Sequence, residues 1–236
     1  MGPVVAHHVE RYPDLTYIAQ DLDTLEMLLW GEIGADVDPA EPRPIHLAHP
    51  LFRDDKVRFF ADPAPWFDFL ATRDFSFGTR IHGNIAALIA GTPAVVLAHD
   101  SRTLELARYF EIPHVPMPRM GTVLDAAELY AEADFGPLNR GHAARLATFI
   151  GYLDGHGLDH VFRSTPAEPT FMARIARTPF PGAVTIASRS TPRGVAGRAM
   201  RLRHRVARSL RHPRLRQVRT EIARRRRRMP EPPAAD

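Results

Sequence analysis

The sequence predicts an α/β fold built on a parallel sheet, followed by a basic helical C-terminal tail. Three observations carry that reading. Short apolar segments alternate with amphipathic ones through the first two-thirds of the chain, the pattern of βαβ crossovers. The stretch FSFGTRIHGNIAALIAGTPAVVLAHD, residues 75–100, reads as strand, tight turn, small-residue helix and second strand. Charge is divided: from Arg193 onward there are 15 arginines against Glu221, Glu231 and Asp236, net +12, which leaves 16 basic and 24 acidic residues before it, net −8. An acidic body thus carries a basic tail.

The elements follow in order. Leu15 to Ala19 reads as a strand ending at Gln20 and Asp21. Asp23 or Thr24 is placed to cap the next helix, where Leu25, Leu28, Leu29 and Ile33 recur at helical spacing, with Gly31 and Gly34 near its end. Residues 38–44 are Pro-rich and acidic, a loop. Pro44 to Ala48 suggests a short strand and Val57 to Ala61 a clearer one, stopped by Asp62-Pro63. Pro65 to Thr72 reads as a helix with a broad apolar face of Trp66, Phe67, Phe69 and Leu70, its first turn suited by Pro63 and Pro65. Phe75 to Thr79 is the next strand. Asn84 to Ala90 is helical, and Gly91-Thr92-Pro93 supplies a glycine C-cap followed by proline.

Ala94 to Ala98 is a buried-type strand. Thr103 to Phe110 is a helix with Leu104, Leu106, Ala107 and Phe110 inward and Ser101 as its cap. Ile112 to Val115 is the last strand. Residues 123–133 and 139–155 read as helices, the second with Ala143, Leu146, Ile150 and Leu153 in register. These elements define an α/β domain over residues 1–163. Residues 164–193, rich in Pro, Ser and Thr, read as a linker. Residues 194–228 carry Val195, Ala199, Leu202, Val206 and Leu210 as one apolar stripe, with arginine on nearly every other face. Residues 229–236 have a disordered composition.

Composition limits the function classes. At 44% hydrophobic and 25% charged, the 236-residue chain is ordinary for a soluble domain. No run of about 18 apolar residues predicts a membrane span, and no signal peptide is evident. Cysteine is absent, which excludes disulfides and thiolate metal sites. The 12 histidines show no ligand spacing, so no metal is expected. His7, His8, His46, His49, His114 and His142 read as surface or loop residues. Trp66, Phe67, Phe69, Phe75 and Phe77 read as core. The expected location is cytoplasmic.

The chemistry concentrates at the corner of residues 78–83. In open α/β sheets, ligands bind where strand ends and helix N-termini converge. A new helix there offers free N–H groups and the positive end of its dipole, so the natural ligand is an anion. Arg80 presents a planar fork suited to carboxylate or phosphate. Gly83 lets backbone approach closely. By spacing alone Arg80 and His82 can equally be structural caps, Arg102 can pair with Glu105 along its helix, and Asp100 can cap that helix or touch ligand.

The run Gly78-Thr79-Arg80-Ile81-His82-Gly83, then Ala86-Ala87-Leu88, Gly91-Thr92-Pro93 and Asp100-Ser101-Arg102, resembles the polysaccharide pyruvyl transferase family. The similarity covers roughly residues 17–117 and is densest over 75–110. It implies a Rossmann-like sheet forming one half of a glycosyltransferase-B fold. It also implies transfer of a pyruvyl group from phosphoenolpyruvate to sugar hydroxyls of a cell-surface polysaccharide or lipid-linked glycan, giving a ketal. Phosphoenolpyruvate is then donor substrate, and no cofactor is called for. The match falls on the family's C-terminal, donor-side half. Too little sequence precedes Tyr17 for the other half, which is expected to be missing.

On this resemblance His82 is the catalytic acid/base and Arg80 the anion clamp at the catalytic corner. Thr79, Gly83, Asn84, Asp100, Ser101 and Arg102 are substrate-binding candidates, Asn84 in a supporting role. Two other functions stand beside it: a glycosyltransferase-B enzyme with a nucleotide-sugar donor, and a non-catalytic remnant acting as a binding or anchoring module. The arginine-rich tail suits peripheral contact with an anionic membrane, or a solvated extension, with nucleic acid the least favoured reading. A homodimer would cover the face left by a missing half.

Overall fold

The computed structural model describes residues 2–31, 43–117, 124–163, 167–186 and Arg203. The arginine-rich tail expected over 194–228, apart from Arg203, and the disordered end expected over 229–236 lie outside the described residues. In chain order the elements are α1 (Gly2–Arg11), β1 (Tyr17–Ala19), α2 (Leu22–Trp30), α3 (Pro50–Arg53), β2 (Val57–Phe59), α4 (Pro63–Leu70), β3 (Ser76–Gly78), α5 (Ile81–Ile89), β4 (Ala94–Ala98), α6 (Ser101–Tyr109), β5 (His114–Pro116), α7 (Ala126–Glu132), α8 (Gly136–Gly155) and α9 (Ala167–Arg177). The fold is mixed α/β with short parallel sheets, as a Rossmann-like arrangement requires.

β1 pairs with β2 in one parallel sheet, with Tyr17 opposite Val57 and Ala19 opposite Phe59. β3, β4 and β5 form a second, also parallel, with Phe77 opposite Val95 and Leu97 opposite Val115. β4 explains the second sheet. All five of its residues, Ala94 to Ala98, are buried, because helices cover both faces. Val96 packs with Ile81, Ala107 and Ile112 on the α5–α6 side. Val95 and Leu97 pack with Leu129 of α7 on the other. The β1–β2 sheet has its own cluster, with Phe52, Leu28, Leu51 and Val57 almost completely enclosed. Ile18 of β1 links the two halves by packing among Leu70, Ala86, Ala87 and Ala94.

Several sequence expectations change. Pro44 to Ala48 is not a strand but the approach to α3, which His49 caps by accepting the Leu51 N–H. Asp21 rather than Asp23 or Thr24 caps α2, accepting from both the backbone N–H and the hydroxyl of Thr24 at 2.8 Å. Gly31 closes that helix at φ +71°, a left-handed conformation that suits glycine. Ser101 is the first residue of α6, and Asp100 is its cap. Phe110 points outward, because α6 ends one residue earlier. His8, His46 and His49 are buried rather than superficial. Trp66, Phe67, Phe69, Phe75 and Phe77 are half-buried, packed against the clusters rather than enclosed by them. Residues 164–193 are not a plain linker: they contain α9, and Val184 bridges antiparallel to Phe59 through paired backbone bonds of 3.1 and 2.8 Å.

The first residues form α1. Asp125 ties that helix to α7. Its carboxylate accepts from Tyr12 Oη at 2.7 Å and from the Ala127 N–H at 2.9 Å, and it meets His7 Nε2 at 2.8 Å and Arg11 Nε at 3.0 Å. Hydrogen bonds from His7 and Tyr12 hold the Asp125 carboxyl far below the usual carboxylate range. Beside it His8 is neutral: Nδ1–H donates to Val4 O at 2.6 Å while Nε2 accepts the Ala126 N–H at 3.0 Å. Burial lowers its pKa. For both groups the unfolded chain binds more protons than the folded one, so stability rises with pH. The stabilisation is therefore present at neutral pH and above. It drains on acidification, first as pH falls below about 6.5 for His8 and then below about 4 for Asp125. Thermal melting against pH should show both declines, and Asp125→Ala should make the lower one shallower.

Candidate anion-binding corner

The corner is built by three constraints. β3 stops at Gly78, and α5 begins at Ile81, whose buried side chain anchors the first turn in the β4–α6 cluster. Asn84, itself buried, reaches back from inside α5. Its Nδ2 donates to Gly78 O at 2.9 Å and to Arg80 O at 3.2 Å. The residue thus staples the turn to the helix that follows it. Through these two bonds Asn84 supports the corner.

With Ile81 turned inward, Arg80 and His82 stand on the exposed side of the same turn. Arg80 occupies the N-cap position with no side-chain cap bond, and the first turn contains no acidic residue. The N–H groups of Ile81 and His82 have no acceptor among the described residues. Neither Arg80 nor His82 forms an ion pair there. A guanidinium at the positive end of a helix dipole, without a carboxylate in reach, is electrostatically unfavourable in the empty protein. An anion bound there would satisfy the guanidinium, the free N–H groups and the dipole together. Thr79, half-buried, lies in the turn between Gly78 and Arg80.

The next helix differs. Asp100 closes the N-terminus of α6 by accepting the Thr103 N–H at 2.6 Å, and hydrogen bonding from Thr103 holds its carboxyl below the usual range. His99 Nε2 lies 3.4 Å and Arg102 4.0 Å from the same carboxylate. Arg102 therefore faces Asp100 rather than Glu105, the pairing that spacing alone allowed. Ser101 and Arg102 are exposed on the first turn of α6, at the end of the strand next to β3. The two neighbouring helix N-termini are thus unequal: that of α6 supplies its own anion, and that of α5 does not.

One contributor was missed by the sequence reading. A Cβ placed on Gly83 would lie 2.6 Å from Gln20 Nε2 and 3.8 Å from Trp66 Cζ2. The missing side chain of Gly83 makes room for a carboxamide from the end of β1. Tyr17 belongs to the same neighbourhood. Burial and Asp21 push its phenol pKa up, and Arg80 opposes them. Gln20 and Asp21 were visible only as residues following a strand. Their relation to Arg80 depends on how the two sheets meet.

A separate cleft of about 480 Å³ opens between α6, β5 and α7, lined by Arg108, Glu111, His114, Glu132 and Asp134 among others. It contains none of the sequence-predicted site residues. Among the described residues no cluster of His, Asp and Glu is arranged to hold a metal ion, and no helix is long and apolar enough to cross a membrane.

Comparison with known proteins matches residues 6–101 to the family model of polysaccharide pyruvyl transferase. The matched segment runs from α1 to the first residue of α6. It contains Thr79, Arg80, His82, Gly83, Asn84, Asp100 and Ser101, and stops just before Arg102. No curated protein and no solved structure matches the chain.

Proposed function

We propose that the segment matched by the polysaccharide pyruvyl transferase model is the donor-binding part of a transferase that moves a pyruvyl group from phosphoenolpyruvate onto sugar hydroxyls. The family supports a transferase acting in polysaccharide synthesis, with a pyruvyl donor and a glycan acceptor. The observation that carries the assignment of the donor is the α5 N-terminus. It gathers Arg80, His82 and two free N–H groups with no counter-anion among the described residues.

The chemistry fits those residues. Phosphoenolpyruvate carries a carboxylate and a phosphate, and Arg80 can take either bidentately while the Ile81 and His82 N–H groups bind an oxyanion. A proton added to the methylene carbon makes it a methyl group and leaves cationic character on the neighbouring carbon. One sugar hydroxyl attacks that carbon and loses its proton. Phosphate departs with the C–O bonding pair, and a second hydroxyl closes the ketal. Histidine can donate and accept protons near neutral pH, which suits His82 to the first step. Arg102 is a second cation along the same sheet edge. Asp100 orients it while capping α6, Thr79 and Ser101 offer hydroxyls there, and Gly83 admits close approach.

Calorimetric titration of the full chain with phosphoenolpyruvate tests the reading, and the expected result is saturable binding. Binding of a nucleotide sugar instead would assign the corner to a glycosyltransferase-B reaction. Binding of neither would leave a non-catalytic binding module.

A further inference from the structure

Gln20 is the first residue after β1, on the opposite sheet from the corner. Side chains two apart on a strand share a face. Ile18 packs among Ala86, Ala87 and Trp66, so the same face carries Gln20 towards α5, one step further along. There its carboxamide lies against the first turn, with Nε2 2.6 Å and Cδ 3.6 Å from the position a Gly83 Cβ would take. Gln20 is half-buried and has no hydrogen-bond partner among the described residues. The buried Trp66 Nε1–H beside it also lacks one there. A half-buried carboxamide without a protein partner, laid against the first turn of α5 beside a buried and unpartnered indole N–H, is placed to bind something that is not protein.

We propose that Gln20 is a binding residue of the donor site, its Nε2–H₂ donating to the anion held at the α5 N-terminus. The inference rests on the reading of that corner as the donor site. It extends the site across the junction of the two sheets, so that the β1–α2 and β3–α5 turns grip the ligand together. It also accounts for the residue type. A glutamate here would repel an incoming anion. A neutral amide donates without that repulsion. Gly83 belongs to the same device, because any side chain there would push the carboxamide away.

The test is titration of the full chain and its Gln20→Ala, Gln20→Glu and Gly83→Ala variants with phosphoenolpyruvate and, separately, inorganic phosphate. Thermal melting of each variant reports whether it is folded. Gln20→Ala should bind phosphoenolpyruvate about tenfold more weakly, the loss of one hydrogen bond to a charged group. Gln20→Glu should lose about a hundredfold near neutral pH, since a carboxylate also repels the bound anion. Relative to wild type, the Gln20→Glu deficit should shrink as pH is lowered from about 8 to about 4, through the ordinary carboxylate range, where a protonated glutamate donates as the amide does. A merely structural glutamine would show no such recovery. Gly83→Ala provides a second route to displacing the carboxamide if Gln20→Ala does not fold. Wild-type affinity in the folded variants would overturn the role of Gln20 and leave the donor site standing. Failure of the wild-type chain to bind either ligand would overturn both.

Discussion

Replacing His82 with alanine should lower turnover about 10²–10⁴-fold, the usual worth of a positioned general acid. Donor affinity should change little by comparison. The split is expected because the two tasks fall on different groups. In the proposed site the Arg80 guanidinium and backbone N–H groups, which the substitution leaves in place, would carry binding. The imidazole would carry proton delivery. His82 is exposed, sits on the second residue of α5 and anchors nothing in the core, while its neighbour Ile81 does. Alanine is the best helix former, so the corner should keep its shape. The measurement is phosphate release from phosphoenolpyruvate in the presence of glycan acceptor, together with a binding titration. An unchanged rate with intact binding would remove His82 from the chemistry.

Replacing Arg80 with alanine should have the converse signature. Donor affinity should fall about 10–100-fold, corresponding to about 1.5–3 kcal/mol for hydrogen bonding to a charged group. Arg80→Lys should fall between, since it keeps the charge but loses the planar fork. Melting of the ligand-free chain should move the other way. An unpaired cation at a helix N-terminus is unfavourable by about 0.3–1 kcal/mol, so its removal should stabilise the empty protein slightly. A structural arginine predicts the opposite sign, a loss of stability on truncation. Calorimetry and thermal melting on the same pair of proteins separate the two, and a destabilised Arg80→Ala chain that binds normally would contradict the assignment.

The parts of this molecule that were legible in sequence are those set by local pattern. Ala94 to Ala98 announces a strand covered on both faces because it is five apolar residues between a glycine turn and a polar stop. The corner is legible because Gly78 and Gly83 bracket a cation-bearing turn before a small-residue helix. What was not legible depends on distant partners. His8 read as superficial because nothing near it in sequence shows that Ala126, 118 residues away, donates to its ring. Val184 read as linker because its pairing with Phe59 lies 125 residues back in the chain. Asp21 was passed over as a cap in favour of Asp23 or Thr24, and Asp100 stood only as an alternative to Ser101, since several polar residues in a row leave the helix start ambiguous. Gln20 could not be linked to Gly83 before the two sheets were placed together. The charge division was equally plain in sequence, and the tail that creates it lies almost wholly outside the described residues.

The central claim is that the α5 N-terminus is where this protein holds an anionic donor. Backbone amide chemical shifts of the wild-type chain on addition of phosphoenolpyruvate test it most directly. The account predicts saturable changes that are largest at Ile81, His82 and Gly83, with the Gln20 side-chain amide moving in step. Saturable changes centred instead on Arg108 and His114 in the cleft beside β5, with the α5 turn undisturbed, would contradict it.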